Sequence, residues 1–231
     1  MGLLRRLARP RAGTRPAHHG PGHADAQVGH LHGVIEQARF YDLVTKAAFL
    51  GRRGAAYRRL AGLAAARPGD RVLDLGCGTG ALTEAMTRAV GPGGSVLGID
   101  PSEPMCRHAA RAVPGATFRV MGAEALDLPD RSVDVVVSAL AVHHVADAAR
   151  STAFAEAARV LRPGGRLMVA DFRPPTGRLG ALVALALAGH AMGHDPGDEL
   201  VGLARGAGLQ VLDVHRVTPF SVVVARRPAQ P

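Results

Sequence analysis

From residue 68 onward, short apolar runs of strand length alternate with longer stretches whose apolar positions recur at helical spacing. Arg71–Leu75, Ser95–Ile99, Ala116–Val120, Val133–Ser138 and Arg166–Asp171 predict five strands. Ala81–Val90, Glu103–Val113 and Ala148–Leu161 fall between them as crossover helices, the connection that parallel strands require. Two further strand-like runs, Leu209–Val217 and Phe220–Arg226, are separated by Thr218-Pro219 alone. That link is too short for a helical crossover, so the pair is expected to form an antiparallel hairpin at the end of the sheet. The pattern predicts a doubly wound, Rossmann-like α/β fold with seven strands.

Ahead of this domain, Val34, Ile35, Ala38, Tyr41, Val44 and Ala48 recur at helical spacing, and Tyr57–Ala66 continues in the same style after Gly51 and Gly54. A helical cap is expected over residues 31–66, followed by the main domain over 67–231. Residues 1–30 are rich in Arg, Pro, Gly and His without an apolar period, which predicts a disordered basic tail. Within 172–197, the stretch Leu179–Met192 is almost wholly apolar but shorter than the roughly 20 residues of a bilayer span. It reads as a core helix, an interfacial helix or a lid, and leaves open a homodimer seam or a membrane-surface contact.

Composition adjusts this picture only at the margins. Hydrophobic residues at 47% and charged residues at 20% of 231 positions exclude a wholly disordered or fibrous chain. The net charge of +9 raises nucleic acid as a partner, yet Lys46 is the only lysine and Asn and Trp are absent. That bias toward arginine is one of codon usage as much as of function, so nucleic acid is not the leading expectation. Cys77 and Cys106 form neither a disulfide framework nor a metal-ligand pair, which fits a cytoplasmic protein.

The candidate chemistry begins at Val72-Leu73-Asp74-Leu75-Gly76-Cys77-Gly78-Thr79-Gly80, a buried strand running through a glycine-rich turn into a helix. Glycines there permit tight turning and close backbone approach to a ligand, and the helix start offers unpaired N–H groups. The next strand ends in Asp100, where a carboxylate can accept hydrogen bonds from both hydroxyls of a ribose. A dinucleotide dehydrogenase satisfies the same glycine spacing. Asp74 argues against it, since an acid beside the loop suits a cationic ligand better than a pyrophosphate, and the terminal hairpin departs from an all-parallel sheet.

The chain resembles the class I S-adenosylmethionine (SAM)-dependent methyltransferases, particularly the group of methyltransferase type 11 and the ubiquinone/menaquinone-biosynthesis C-methyltransferases. The resemblance is carried by Val72–Gly80, Gly98–Met105, Ala123–Asp134, His143-His144-Val145 and Val160–Gly165, in order and spacing, over residues 68–171. It implies SAM as cofactor, with Gly76, Gly78 and Gly80 against the methionine part and Asp74 near its amino group. It further implies Asp100 on the ribose hydroxyls, Met105 against the adenine, Tyr41 in an aromatic cap together with Asp42, and Cys77 and Ser138 in the cofactor-binding set. Where the family often has an acid meeting the adenine amino group, this chain has Gly122. Adenine recognition then falls to the backbone at Ala123 or to Glu124, which reads equally as a solvated loop acid.

Methyl transfer from a sulfonium needs no nucleophilic side chain, but a phenol, carbon acid or thiol acceptor gains from a general base. His143 and His144 follow strand four at the carboxyl edge, where α/β ligands bind, and are the candidates for that base; the alternative is a structural, orienting pair. Asp171 faces the same edge, as a substrate contact or a turn carboxylate. His190 and His194 share a helical spacing but lack further ligands, so no metal is expected there or in the tail histidines. Ser138-Ala139-Leu140-Ala141 lacks the Asn/Asp-Pro-Pro-aromatic run of amino-methylating enzymes, and no Pro-Cys nucleophile occurs. The expectation is a SAM-dependent methyltransferase acting by in-line displacement on a small hydrophobic acceptor. Its rivals are an RNA methyltransferase and a SAM-binding protein without transfer activity.

Overall fold

A computed structural model of the chain describes residues 53–173, 195–217 and 219–229. The expected tail, the first cap helix and Leu179–Met192 lie outside the described residues, and with them Tyr41, Asp42, His190 and His194. The chain enters through helix α1 (Arg53–Ala64), which ends where Ala65 takes a left-handed φ of 50°. There follow β1 (Arg71–Leu75), α2 (Ala81–Val90), β2 (Ser95–Asp100), α3 (Glu103–Ala112), β3 (Thr117–Val120) and β4 (Val133–Ala139). A 3₁₀ turn over Val142–His144 leads into α4 (Asp147–Val160) and β5 (Leu161–Phe172). The last elements are α5 (Gly197–Gly206), β6 (Gln210–Val217) and β7 (Phe220–Arg226).

These strands form one seven-stranded sheet in the order β3-β2-β1-β4-β5-β7-β6. β1 pairs in parallel with β2 and β4, β4 with β5, and β7 inserts antiparallel between β5 and β6. The hairpin read from Thr218-Pro219 is therefore present. Two expectations shift. β5 begins at Leu161 rather than Arg166, because Leu161 already pairs with Val133 and the next pair is Val135 with Arg166. The four residues between, including Pro163 and Gly164 at φ 77°, loop out of the ladder, which a Pro-Gly pair permits without breaking the strand. The second difference is α5, which the apolar pattern did not predict.

Side chains alternate across the sheet, so β1 sends Val72 to one face and Leu73 to the other. On the first face Tyr57, Leu60 and Met86 from α1 and α2 pack on Val96, Val135, Val137 and Met168. On the second, Phe154, Leu200 and Ala204 from α4 and α5 pack on Ile99, Val136, Leu167 and Val223. Full burial of a side chain such as Leu60 or Phe154 contributes about 1.5–3 kcal/mol, which ties the helices to the sheet. Strand order reverses between β1 and β4, and at such a switch point the diverging loops leave a crevice at the carboxyl edge. No helix among the described residues is long and apolar enough to cross a membrane.

Candidate active site

The glycine loop after β1 uses each of its three glycines differently. Gly76, Gly78 and Gly80 have φ of 67°, 51° and 86°, left-handed conformations that other residues adopt at a cost. A Cβ on Gly76 would overlap Ala141 in the loop after β4, so here glycine lets two crevice-forming loops touch. A Cβ on Gly78 would meet nothing within 4 Å, and its backbone faces open cleft. Gly80 lies outside that cleft, at the start of α2, where a Cβ would approach Ala109 at 3.2 Å and Val113 at 3.1 Å. Its contact is with α3, not with the cleft that the other two line.

Asp100, at the end of β2, ties this loop down. Its carboxylate accepts the backbone N–H of Gly78 at 3.0 Å and that of Ser102 at 2.9 Å, while Cys77 N–H donates to the Ile99 carbonyl at 2.9 Å. The same carboxylate lines the cleft, so it is held in orientation before any ligand arrives. Met105, Met121 and Ala123 form an apolar wall beyond it. Glu124 closes that end: its carboxylate folds back over Gly122, into the space that a side chain at position 122 would take. Ser138 is buried in the cleft floor and donates to the Leu75 carbonyl at 2.9 Å. Cys77 is also buried, and desolvation, reinforced by Asp74, pushes its thiol far up.

Asp74 shares the strand parity of Val72, so it projects toward α2, where the Thr83 hydroxyl donates to it at 2.6 Å. It is 1% exposed yet lines the cleft. Burial pushes its carboxyl up to about 7, with Asp100 adding to the rise and Thr83 opposing it. Between the ordinary 3.8 and 7 the folded protein keeps a proton that the unfolded chain has released, so this group makes stability fall as pH rises through that window. Asp74→Asn keeps an oxygen for Thr83 and removes the titration. Urea unfolding from pH 4 to 8 is expected to show the variant gaining on the parent as pH rises; parallel curves would refute the assignment.

The cleft has a volume of about 870 Å³, toward the upper end for ligand sites, and continues from the glycine loop past β4 to α4. This second half is walled by Tyr57, Leu82, Leu140, Val142, Val145 and Ala149. The two histidines part company here. His143 does not line the cleft: its Nδ1 lies 2.7 Å from Asp171 Oδ1 and its backbone N–H donates to Oδ2 at 3.1 Å. Asp171 is buried at the end of β5 and is engaged by His143 and by the Phe172 N–H, so it is a holder of the turn rather than a cleft wall. His144 does line the cleft, with its ring centroid 4.0 Å from that of His143. Partial desolvation there, then the neighbouring His143, push it below the ordinary imidazole value, against Asp171 and Asp100. Among the described residues no group of three His, Cys, Asp or Glu side chains is placed to hold a metal.

A doubly wound sheet whose glycine loop is anchored to a carboxylate one strand away is a nucleoside-binding α/β domain. Residues 72–165 match the family described as methyltransferase domain. The ubiquinone/menaquinone biosynthesis C-methyltransferase UbiE of Shewanella halifaxensis is 34% identical over 158 residues, 66% of this chain and 61% of that protein. The demethylmenaquinone methyltransferase of Symbiobacterium thermophilum is 33% identical over 147 residues, 61% of this chain and 58% of that protein. The crystal structure of a SAM dependent methyltransferase from Aquifex aeolicus shares the fold, with a TM-score of 0.65 and 20% identity over 80% of this chain and 97% of that one. The chain spans 31–62% of the length of the curated relatives it matches. Over residues 72–165 the chain thus matches the methyltransferase domain family and is similar to UbiE-type C-methyltransferases, a likeness that indicates S-adenosylmethionine as its cofactor. The open space over Gly78, the oriented Asp100 and the buried acid at Asp74 fit that cationic nucleoside.

Proposed function

We propose that the chain transfers a methyl group from S-adenosylmethionine to a small, apolar acceptor of the hydroquinone class. The observation that carries this reading is the second half of the cleft, which is apolar apart from Arg150 and one imidazole facing inward, His144. The relatives named as quinone-biosynthesis C-methyltransferases support the same acceptor chemistry. On the cofactor side, Asp100 takes the ribose hydroxyls, Met105, Ala123 and Glu124 meet the adenine, and the backbone at Gly76–Gly78 receives the methionine part above Asp74. Arginines such as Arg71, Arg119, Arg159 and Arg162 are paired with carboxylates, which leaves less free charge for a nucleic acid.

When bound, the cofactor supplies a methyl group on a sulfonium whose leaving group is a neutral thioether. The apolar walls hold the aromatic ring in line with that methyl and exclude water, as a positioning mechanism requires. His144 accepts the phenolic proton of the hydroquinone, which raises electron density on the adjacent ring carbon as that carbon takes the methyl group. Loss of the ring proton from the methylated carbon, with return of a proton to the oxygen, restores the phenol. The net products are the methylated ring, the thioether and one proton. His143, held by Asp171, supports the adjoining ring.

The test is methyl transfer from isotopically labelled S-adenosylmethionine to a naphthohydroquinone bearing an apolar side chain. Turnover is expected, rising with pH through a midpoint below the usual 6.5 because neutral His144 is the active form. His144→Gln is expected to lower kcat at pH 7 about 100-fold while cofactor affinity holds. Binding of S-adenosylhomocysteine with no transfer to any hydroquinone across that pH range would overturn the acceptor assignment.

A further inference from the structure

The turn that carries the histidines has little of its own to hold it. It is three residues long, flanked by Ala141 and Val145, and no side chain caps it. On its β5 side Asp171 grips His143. On the opposite side stands Arg150, from the first turns of α4. Its Nε donates to the Val142 carbonyl at 3.3 Å and to the Val145 carbonyl at 3.1 Å, the two carbonyls that bracket His143 and His144. Its Nη1 reaches Glu199 of α5 at 2.6 Å and Asp147 at 3.0 Å. The side chain is 18% exposed and lines the cleft, while Asp147 is 90% exposed and contributes little.

We propose that Arg150 is the positioning residue of the histidine turn: one guanidinium, fixed by Glu199 of α5, grips the carbonyls on either side of the two histidines and so sets where the His144 ring stands. The inference rests on the proposed role of His144. The planar guanidinium serves both partners at once, since one edge meets the turn and another meets α5. A lysine ammonium is a single point of charge and cannot span them in the same geometry. The arrangement also makes α5 part of the acceptor site, although α5 contributes no residue to the described cleft wall. Among the described residues, the charged and titratable groups around His144 are His143, Asp171, Asp100, Arg150 and, through Arg150, Glu199 and Asp147.

Arg150→Lys, Arg150→Met and Glu199→Gln separate this role from a general contribution to folding. All three are expected to bind S-adenosylhomocysteine within about threefold of the parent, because Asp100 and the glycine loop lie elsewhere in the cleft. With the naphthohydroquinone as probe, kcat is expected to fall about 10- to 100-fold in both Arg150 variants with KM nearly unchanged, as misplacement of a reacting group by an ångström predicts. Glu199→Gln keeps a hydrogen-bond partner and is expected to fall less. The signature of positioning is the His144 titration, followed by imidazole nitrogen NMR. It is expected to move up toward the ordinary value in Arg150→Met as the loosened ring regains water. A folded, cofactor-binding Arg150→Met with parental kcat and parental His144 titration would overturn the proposal. Should Arg150→Met not fold, the same criterion applies to Arg150→Lys. If the parent methylates no hydroquinone, the acceptor reading fails, and the His144 titration alone decides the role of Arg150.

Discussion

Asp100→Ala is expected to raise the dissociation constant of S-adenosylhomocysteine by at least about a hundredfold, because hydrogen bonds to a charged group contribute roughly 1.5–3 kcal/mol each and the ribose offers two. The carboxylate is oriented in advance by the Gly78 and Ser102 N–H groups, so little ordering remains to be done on binding. Its loss also frees the glycine loop from β2, which adds to the effect on affinity. Asp100→Asn retains one acceptor oxygen but presents an amide N–H to one of these N–H donors, and an intermediate loss of about tenfold follows. Titration calorimetry with the ribose-intact and 2′-deoxy forms of the ligand isolates the contact. The parent is expected to discriminate between them, and the alanine variant is expected not to. An unchanged dissociation constant in Asp100→Ala would remove the ribose from this carboxylate.

Such a residue can be read from the chain because its meaning is local. Asp100 ends one strand, Gly76–Gly80 follow the neighbouring one, and parallel pairing of Leu75 with Ile99 brings the two ends together without further information. The hairpin is legible for the same reason, since a two-residue link leaves the chain no other way to return. The histidines were less legible. Adjacent in sequence, they differ in role through Asp171, 28 residues beyond His143, which claims His143 and leaves His144 to the cleft. Arg150 carried no signal, being one arginine among many on an alanine-rich helix until Glu199 arrives from α5. The helix α5 itself was hidden by its shortness: Leu200 and Ala204 are, with Gly197, its only buried residues, and Asp198 and Glu199 in its first turn are a weak start signal. Gly80 resembled its two neighbours, and only the approach of Ala109 of α3 and of Val113 at its C-terminal cap shows that it serves helix packing.

Gly76 and Gly78 therefore make the sharpest test of the loop, since one substitution should act through different physics at each. Gly76→Ala introduces a side chain at φ 67° and drives it into Ala141, a neighbour on another loop that cannot rotate away. Backbone strain of about 1 kcal/mol and overpacking of about 1–3 kcal/mol add, so unfolding free energy is expected to fall by several kcal/mol. Gly78→Ala suffers the conformational strain alone, because its Cβ meets nothing within 4 Å. Its stability is expected to fall by only about 1 kcal/mol, while affinity for S-adenosylhomocysteine falls about tenfold or more, since the new methyl stands where the ligand approaches the backbone. Stability and affinity thus move in opposite proportion at two positions separated by a single residue. Urea unfolding and ligand titration of both variants decide the matter. A Gly78→Ala protein that loses several kcal/mol of stability yet binds the ligand as the parent does would show that the loop meets its cofactor elsewhere.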